Sequence, residues 1–209
     1  MKLYDFEPAP NPRRVRICIA EKGLQIPVEQ VDLGSGEQFG DAFRAINPAC
    51  TVPVLETDEG VRLTECVAIY AYLEGICPEP PLMGDNPADV ARTLNWNHIV
   101  ENEGFHAIAE SFRNFSKAFV DRPVTGPERY PQQSVLVERG RARAEAFFDR
   151  METRLASRTW LATDAFSIAD ISLYVGVDFA GWIKLEATRE RPALADWYAR
   201  VASRPSARA

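Results

Sequence analysis

The spacing of apolar and polar positions changes character part-way along the chain. Residues 2–6 (KLYDF) and 28–33 (VEQVDL) carry the period of two that a half-buried strand requires. Residues 52–56 (VPVLE) and 60–63 (GVRL) read as two more strands joined at Asp58-Glu59-Gly60, a hairpin rather than a crossover. Between the first two strands Val15, Cys18, Ile19 and Leu24 recur at helical spacing, and Gly23 marks the end of that helix. Asn11 followed by Pro12 predicts its start, with Asn11 as the capping residue and proline in the first helical position. Short helices are expected at 41–46 and 65–74, so the order is strand, helix, strand, helix, then strand, strand, helix. Pro53 lacks a ladder donor, which predicts that Val52-Pro53 lies at a sheet edge or a break in pairing, with a cis peptide as one way to make it.

Residues 77–87 (CPEPPLMGDNP) hold four prolines and no periodicity, the composition of an interdomain linker. Beyond them only helical spacing remains. Val90, Leu94, Ile99, Phe105, Ile108, Phe112, Phe115 and Phe119 predict one long helix over 88–120. Further helices are expected over 132–156, 167–184 and 193–203. The predicted layout is an α/β domain at 1–76, a linker at 77–87 and an all-α helical bundle at 88–209.

Composition narrows the function classes. The chain has 209 residues, 46% hydrophobic and 26% charged, which places it among globular proteins and excludes a disordered or collagenous chain. Thirty acidic against 24 basic side chains give a net charge of -6, so neither nucleic acid nor an anionic membrane surface is an expected partner. No apolar run approaches the roughly 18 residues of a membrane span, and no basic segment followed by an apolar stretch opens the chain. A cytoplasmic location is expected. The four cysteines form no C-x-x-C pair and there are two histidines, which argues against a metal site or a disulfide framework.

Phe166-Ser167-Ile168-Ala169-Asp170-Ile171 is a capping box, with Ser167 at the cap, Asp170 reaching back and Phe166 placed to pack on Ile171. Asn47-Pro48 precedes Thr51-Val52-Pro53-Val54-Leu55, and Leu63-Thr64-Glu65-Cys66-Val67-Ala68-Ile69 follows. With the two-part layout, these segments resemble the cytosolic glutathione transferase superfamily over nearly the whole chain. The Pro10-Asn11 pair is similar to the first-helix motif of the nu class, which suggests a bacterial source. The resemblance implies a thioredoxin-like domain that binds the tripeptide glutathione, a helical domain that walls an apolar acceptor pocket, and a cytoplasmic homodimer engaged in detoxification. Glutathione enters as co-substrate, and no metal is implied.

Site residues follow from the same resemblance. Val52, ahead of Pro53, offers backbone groups on which an extended peptide can pair. Glu65 and Cys66 begin a helix whose positive end suits the γ-glutamyl carboxylate. Serine is usual where Cys66 stands, so a weak thiol donor replaces a hydroxyl. Gln38 and Glu37 lie in the region that contacts glutathione in many members, although GSGEQ also reads as a plain polar loop. The thiolate is the nucleophile, and lowering a thiol pKa of about 8.5 by about two units takes roughly 2.7 kcal/mol.

The residues at the helix start, Ala9-Pro10-Asn11-Pro12, carry no hydroxyl or thiol. Asn11 is therefore the candidate catalytic residue, its amide donating to sulfur, while an ordinary helix cap is the competing role. Tyr4 is the runner-up, and a core role competes there too. Arg13, Arg14 and Arg16 read as a solvated face. Phe6, Phe105, His106 and Phe112 are the candidate acceptor pocket, each with a plain packing or surface alternative. Three activities fit: glutathione S-transfer to small hydrophobic electrophiles, glutathione-dependent disulfide or peroxide reduction, and a non-catalytic protein that kept the fold.

Overall fold

The computed structural model describes every residue, Met1–Ala209, in two compact units. The first comprises Met1–Pro80 with Thr125–Glu128 and Ala209; the second comprises Pro81–Val124 and Arg129–Arg208. In the first, β1 (Lys2–Asp5), α1 (Pro10–Glu21), β2 (Val28–Gln30), α2 (Asp41–Arg44), β3 (Val54–Glu56), β4 (Arg62–Leu63) and α3 (Cys66–Ile76) follow in order. The sheet runs β2-β1-β3-β4, with β1 parallel to β2 (Leu3 opposite Val28) and antiparallel to β3 (Tyr4 opposite Val54). The β3–β4 hairpin pairs Leu55 with Leu63, and Gly60 turns it at φ +79°, a backbone geometry that glycine adopts without strain. Leu3, Val54 and Leu55 from the sheet and Val15, Ile69 and Leu73 from the helices are fully buried, so the α/β expectation holds.

One local expectation needs correction and another is met. The first helix begins at Pro10, not after Asn11, and Ala9 is its capping residue in extended geometry (φ -77°, ψ 139°). Pro10 and Pro12 both fall in the first turn, where an N–H has no intrahelical acceptor, so neither proline delays the helix. Val52-Pro53 takes the second form expected of it, a break in pairing made with a cis peptide: it lies just before β3, an inner strand, and outside the ladder, while β2 and β4 are the edges.

The proline-rich segment after α3 has no regular structure, but side chains fasten it. Lys22, at the end of α1 and with no exposed side-chain surface, pairs with Glu74 at 2.7 Å. Its ammonium also donates to the carbonyls of Cys77 and Pro80, at 2.7 and 2.8 Å. Farther on Leu82 is buried, and its carbonyl accepts the Ile168 N–H at 2.9 Å.

The second unit is helical throughout: α4 (Pro87–Ile99), α5 (His106–Phe115), α6 (Ser134–Leu155), α7 (Ile168–Ala180) and α8 (Pro192–Ala202). The single helix expected over 88–120 is instead α4 and α5 joined by a π-helical turn, Val100–Phe105. It ends at Phe115, and Arg113 gathers the carbonyls of Arg122, Pro123 and Val124 in the following loop. Gly140 of α6 allows a close approach to α5, because a Cβ there would stand 2.6 Å from the Ala107 carbonyl oxygen and the Ser111 nitrogen. α7 is buried on nearly every side, as expected for a central helix without a polar face. Its capping box forms as predicted: Asp170 accepts from the Ser167 N–H at 3.1 Å and the Ser167 hydroxyl at 2.9 Å.

Candidate active site

The starts of α1 and α3 meet. The Cys66 thiol donates to the Asn11 carbonyl across 3.5 Å, joining the first turns of the two helices. Neither capping residue, Ala9 or Glu65, contributes a side-chain hydrogen bond; Pro10 and Pro12 leave Asn11 as the one N–H donor in the first turn of α1, and both positive dipole ends favour an anion. Cys66 itself is buried with its thiol turned to α1. Glu65 is exposed in extended geometry at the cap, free to meet an amine.

Asn11 is exposed and does not cap the helix; its Oδ1 accepts from Arg14 Nη1 at 3.2 Å. That contact fixes the sense of the amide, because a guanidinium engages only the oxygen and so leaves the NH2 as the outward donor. Arg14 is buried beneath it and reaches the ring of Tyr70, 6.0 Å from its centroid. The solvated arginine face is thus corrected: Arg14 is interior, and Arg16 is paired with the buried Asp5 at 2.7 Å. Tyr4 is core, buried edge-on to Phe43 at 6.3 Å, which removes it from the surface where sulfur would stand.

Val52 divides its roles. Its side chain is buried with Tyr4, Val31, Phe43 and Val54, with Phe6 packed on the same cluster. Its N–H and C=O enter no hydrogen bond within the chain, the condition for pairing with an added peptide. Pro53 is buried beside it. Gln38 lies in a 3-10 turn, Glu37–Phe39, only 9% exposed, and its Oε1 is buried without a partner. A solvated loop does not describe it. Glu37 instead closes its own loop, accepting the Asp32 N–H at 2.7 Å.

In the helical unit Phe105 is core, its ring tilted at 41° to Phe179 with centroids 5.8 Å apart and pressed on Gly176. Phe112 centres a cluster with Phe115, Phe119, Phe179 and Trp182, at 5.8, 5.3, 6.2 and 5.0 Å. Phe115 and Trp182 are exposed in that cluster, and His106 is exposed at the start of α5. Trp182 was not a sequence candidate; its spacing of three from Phe179 and the aromatic richness of the segment were the available signal.

Residues 9–76 match the glutathione S-transferase N-terminal domain family, and residues 113–205 match the C-terminal domain family. The chain is 34% identical to glutathione S-transferase 2 of Saccharomyces cerevisiae, over 99% of its own length and 87% of that protein. It belongs to the glutathione S-transferase family. Among solved structures, a glutathione S-transferase domain-containing protein of Marinobacter aquaeolei superposes with a TM-score of 0.90 at 35% identity, covering 99% of each chain. The disulfide-bond oxidoreductase YfcG of Escherichia coli is 27% identical over 98% of this chain and 91% of that protein. Within this glutathione S-transferase, the first turn of α1 presents an amide where a hydroxyl or thiol would otherwise be sought.

Proposed function

We propose that the enzyme binds glutathione in the 1–76 domain and couples its thiolate sulfur to small hydrophobic electrophiles held by the 88–209 domain, the two joined by 77–87. The Val52 backbone pairs with the cysteinyl residue, Pro53 shapes that segment, and the α3 start with Glu65 and Cys66 takes the γ-glutamyl end. Gln38 adds a polar contact. The thiol loses its proton to solvent, the thiolate attacks the electrophilic carbon, and the leaving group departs with the bonding pair.

The observation that carries this reading is the meeting of two uncapped helix starts at Asn11, whose amide Arg14 turns with its NH2 outward. The magnitudes suffice. A hydrogen bond to a charged group contributes about 1.5–3 kcal/mol and a helix start about 0.3–1 kcal/mol, against the roughly 2.7 kcal/mol that a two-unit pKa shift requires. The aromatic cluster around Phe112, with Trp182 exposed, suits a ring-bearing electrophile. Four free cysteines suit a reducing cytoplasm, and the family supports a homodimer in detoxification.

The test is the pKa of glutathione bound to the protein, followed by thiolate absorbance, in the parent and in Asn11→Ala. The parent holds the thiol about two units below its free value and the variant returns about one unit of that shift, with conjugation of an aryl halide slowed about tenfold. A parental pKa in Asn11→Ala would sink the assignment.

A second reading is favoured by the lack of a thiol or hydroxyl at positions 9–12 and by the oxidoreductase relative. Two glutathione thiols would reduce a small disulfide, leaving glutathione disulfide and two product thiols. Faster turnover of a small disulfide than of an aryl halide would select this reading.

A further inference from the structure

The turn from β1 into α1, residues 6–9, is gripped by side chains from outside its own span. The Glu7 carbonyl accepts from Arg16 Nη2 at 2.9 Å, and the Glu7 N–H donates to Gln30 Oε1 at 3.0 Å. Both grips converge on one carboxylate. Asp5 Oδ1 accepts from Arg16 Nη1 and Asp5 Oδ2 from Gln30 Nε2, each at 2.7 Å. The side chain of Asp5 is 1% exposed and that of Arg16 15%. Asp5 closes β1, where its backbone carbonyl takes the Val31 N–H at 2.7 Å, so the sheet sets the position of the carboxylate.

The logic of donors and acceptors makes Asp5 the member that orients the others. Asp5 sets the sense of the Gln30 amide: a carboxylate accepts only from the NH2, which leaves the oxygen facing the Glu7 N–H. Arg16 divides its fork in the same way, one nitrogen on the carboxylate and one on the peptide. Beyond Glu7 the turn closes with the Ala9 N–H on the Phe6 carbonyl at 2.8 Å, and Ala9 starts the helix that carries Asn11.

We propose that Asp5 is a positioning residue: through Arg16 and Gln30 it holds the Glu7 peptide, and with it the start of α1, so that the Asn11 amide meets the glutathione sulfur in one geometry. The proposal rests on the reading of Asn11 as the thiolate donor. It differs from simple burial of a charge in that the polarity of the Gln30 amide matters.

Asp5→Asn breaks that polarity while keeping size, because the new amide NH2 faces the Gln30 NH2, and Gln30 must turn over and present its NH2 to the Glu7 N–H. A misplacement of this kind lowers kcat for an aryl halide about tenfold. The KM for glutathione stays within about twofold, since Val52 and the α3 start are untouched. Adding Gln30→Glu restores the pattern: the carboxylate at position 30 accepts from the amide at position 5 and from Glu7, and the local net charge equals that of the parent. The double variant recovers kcat to within about threefold of the parent. Gln30→Ala, at an exposed position, removes one grip without threatening the fold and lowers kcat in the same direction.

Parental kcat and bound-thiol pKa in both Asp5→Asn and Gln30→Ala would overturn the proposal. So would an Asp5→Asn defect that Gln30→Glu leaves unrepaired. Asn11→Ala, measured alongside, separates the two levels. If it raises the thiol pKa while the Asp5 and Gln30 variants do not, the Asn11 reading stands and the role of Asp5 falls. If it leaves the pKa unmoved, both fall.

Discussion

Asp170 is the most heavily used acceptor in the helical unit, and its removal has a calculable effect. Its carboxylate is fully buried. Oδ1 accepts the Leu161 N–H at 2.8 Å and the Trp197 indole N–H at 2.9 Å, while Oδ2 accepts the N–H and hydroxyl of Ser167. Asp170→Ala strands three buried N–H donors, whereas the Ser167 hydroxyl can rotate to another acceptor. At about 1–3 kcal/mol for each stranded donor, and allowing for relaxation, the variant loses about 3–5 kcal/mol. Asp170→Asn keeps the Oδ1 pair of contacts but sets an NH2 against the Ser167 N–H, and loses about 1–3 kcal/mol. Burial raises the Asp170 pKa from 3.8 to about 6, the four hydrogen bonds opposing but not cancelling the desolvation.

The sign follows from the raised value. The folded state holds this proton more tightly than the unfolded one, so the contribution is complete below about pH 4 and disappears as pH rises through about 6. Relative to Asp170→Asn, parental stability therefore falls by about 2 kcal/mol between pH 4 and pH 7. Urea unfolding followed by tryptophan fluorescence at several pH values reads both effects. An Asp170→Ala protein as stable as the parent, or parallel pH profiles for the parent and Asp170→Asn, would refute the reasoning.

Two other substitutions probe how the units are built. Gly140→Ala places a methyl group against the backbone of α5, where neither the Ala107 carbonyl nor the Ser111 nitrogen can swing away, and costs about 1–3 kcal/mol, read as a lowered urea midpoint. A parental midpoint would mean that α5 and α6 can separate at no cost. Lys22→Met removes the buried ammonium that ties α1 to Glu74 and to the Cys77 and Pro80 carbonyls, and costs about 3 kcal/mol, partly recovered by adding Glu74→Gln. Equal stability of Lys22→Met and the parent would show that this pair is offset by desolvation.

Where a structural signal is local, it was legible. The Ser167–Asp170 box lies within four residues, and KLYDF and VEQVDL both hold strands, although neither alternates as a half-buried strand would: Leu3–Asp5 of β1 are all buried and β2 is exposed throughout. Boundaries were harder where two local rules competed. Asn11-Pro12 is a good helix start, but Pro10 is an equally good first residue, and the helix takes the longer option. The break in the 88–120 helix left a trace as well: Val100 and Phe105 are both buried and five apart, the repeat of a π turn rather than an α turn. Val52-Pro53 predicts a sheet edge or a break in pairing because proline is excluded from central ladders, and the structure takes the break, just before an inner strand begins.

The site was legible to a different depth, and the reason is the range of its interactions. Val52, Glu65 and Cys66 stand in short motifs, so their places just before β3 and at the start of α3 follow from the segments around them. The Asp5, Arg16 and Gln30 network joins residues 11 and 25 positions apart, and no periodicity encodes which arginine turns inward. Arg13, Arg14 and Arg16 look alike in sequence, yet Arg14 is buried under Asn11 and Arg16 is held by Asp5. Hydrophobic patterning therefore brings the two helix starts together, while the direction in which the Asn11 amide faces depends on polar contacts made by a buried guanidinium. A hydrophobic pattern tolerates many exchanges at constant fold, but the donor–acceptor sequence from Asp5 through Gln30 to Glu7 reverses with a single amide. Chemistry at α1 should accordingly be more sensitive to that polar chain than stability is.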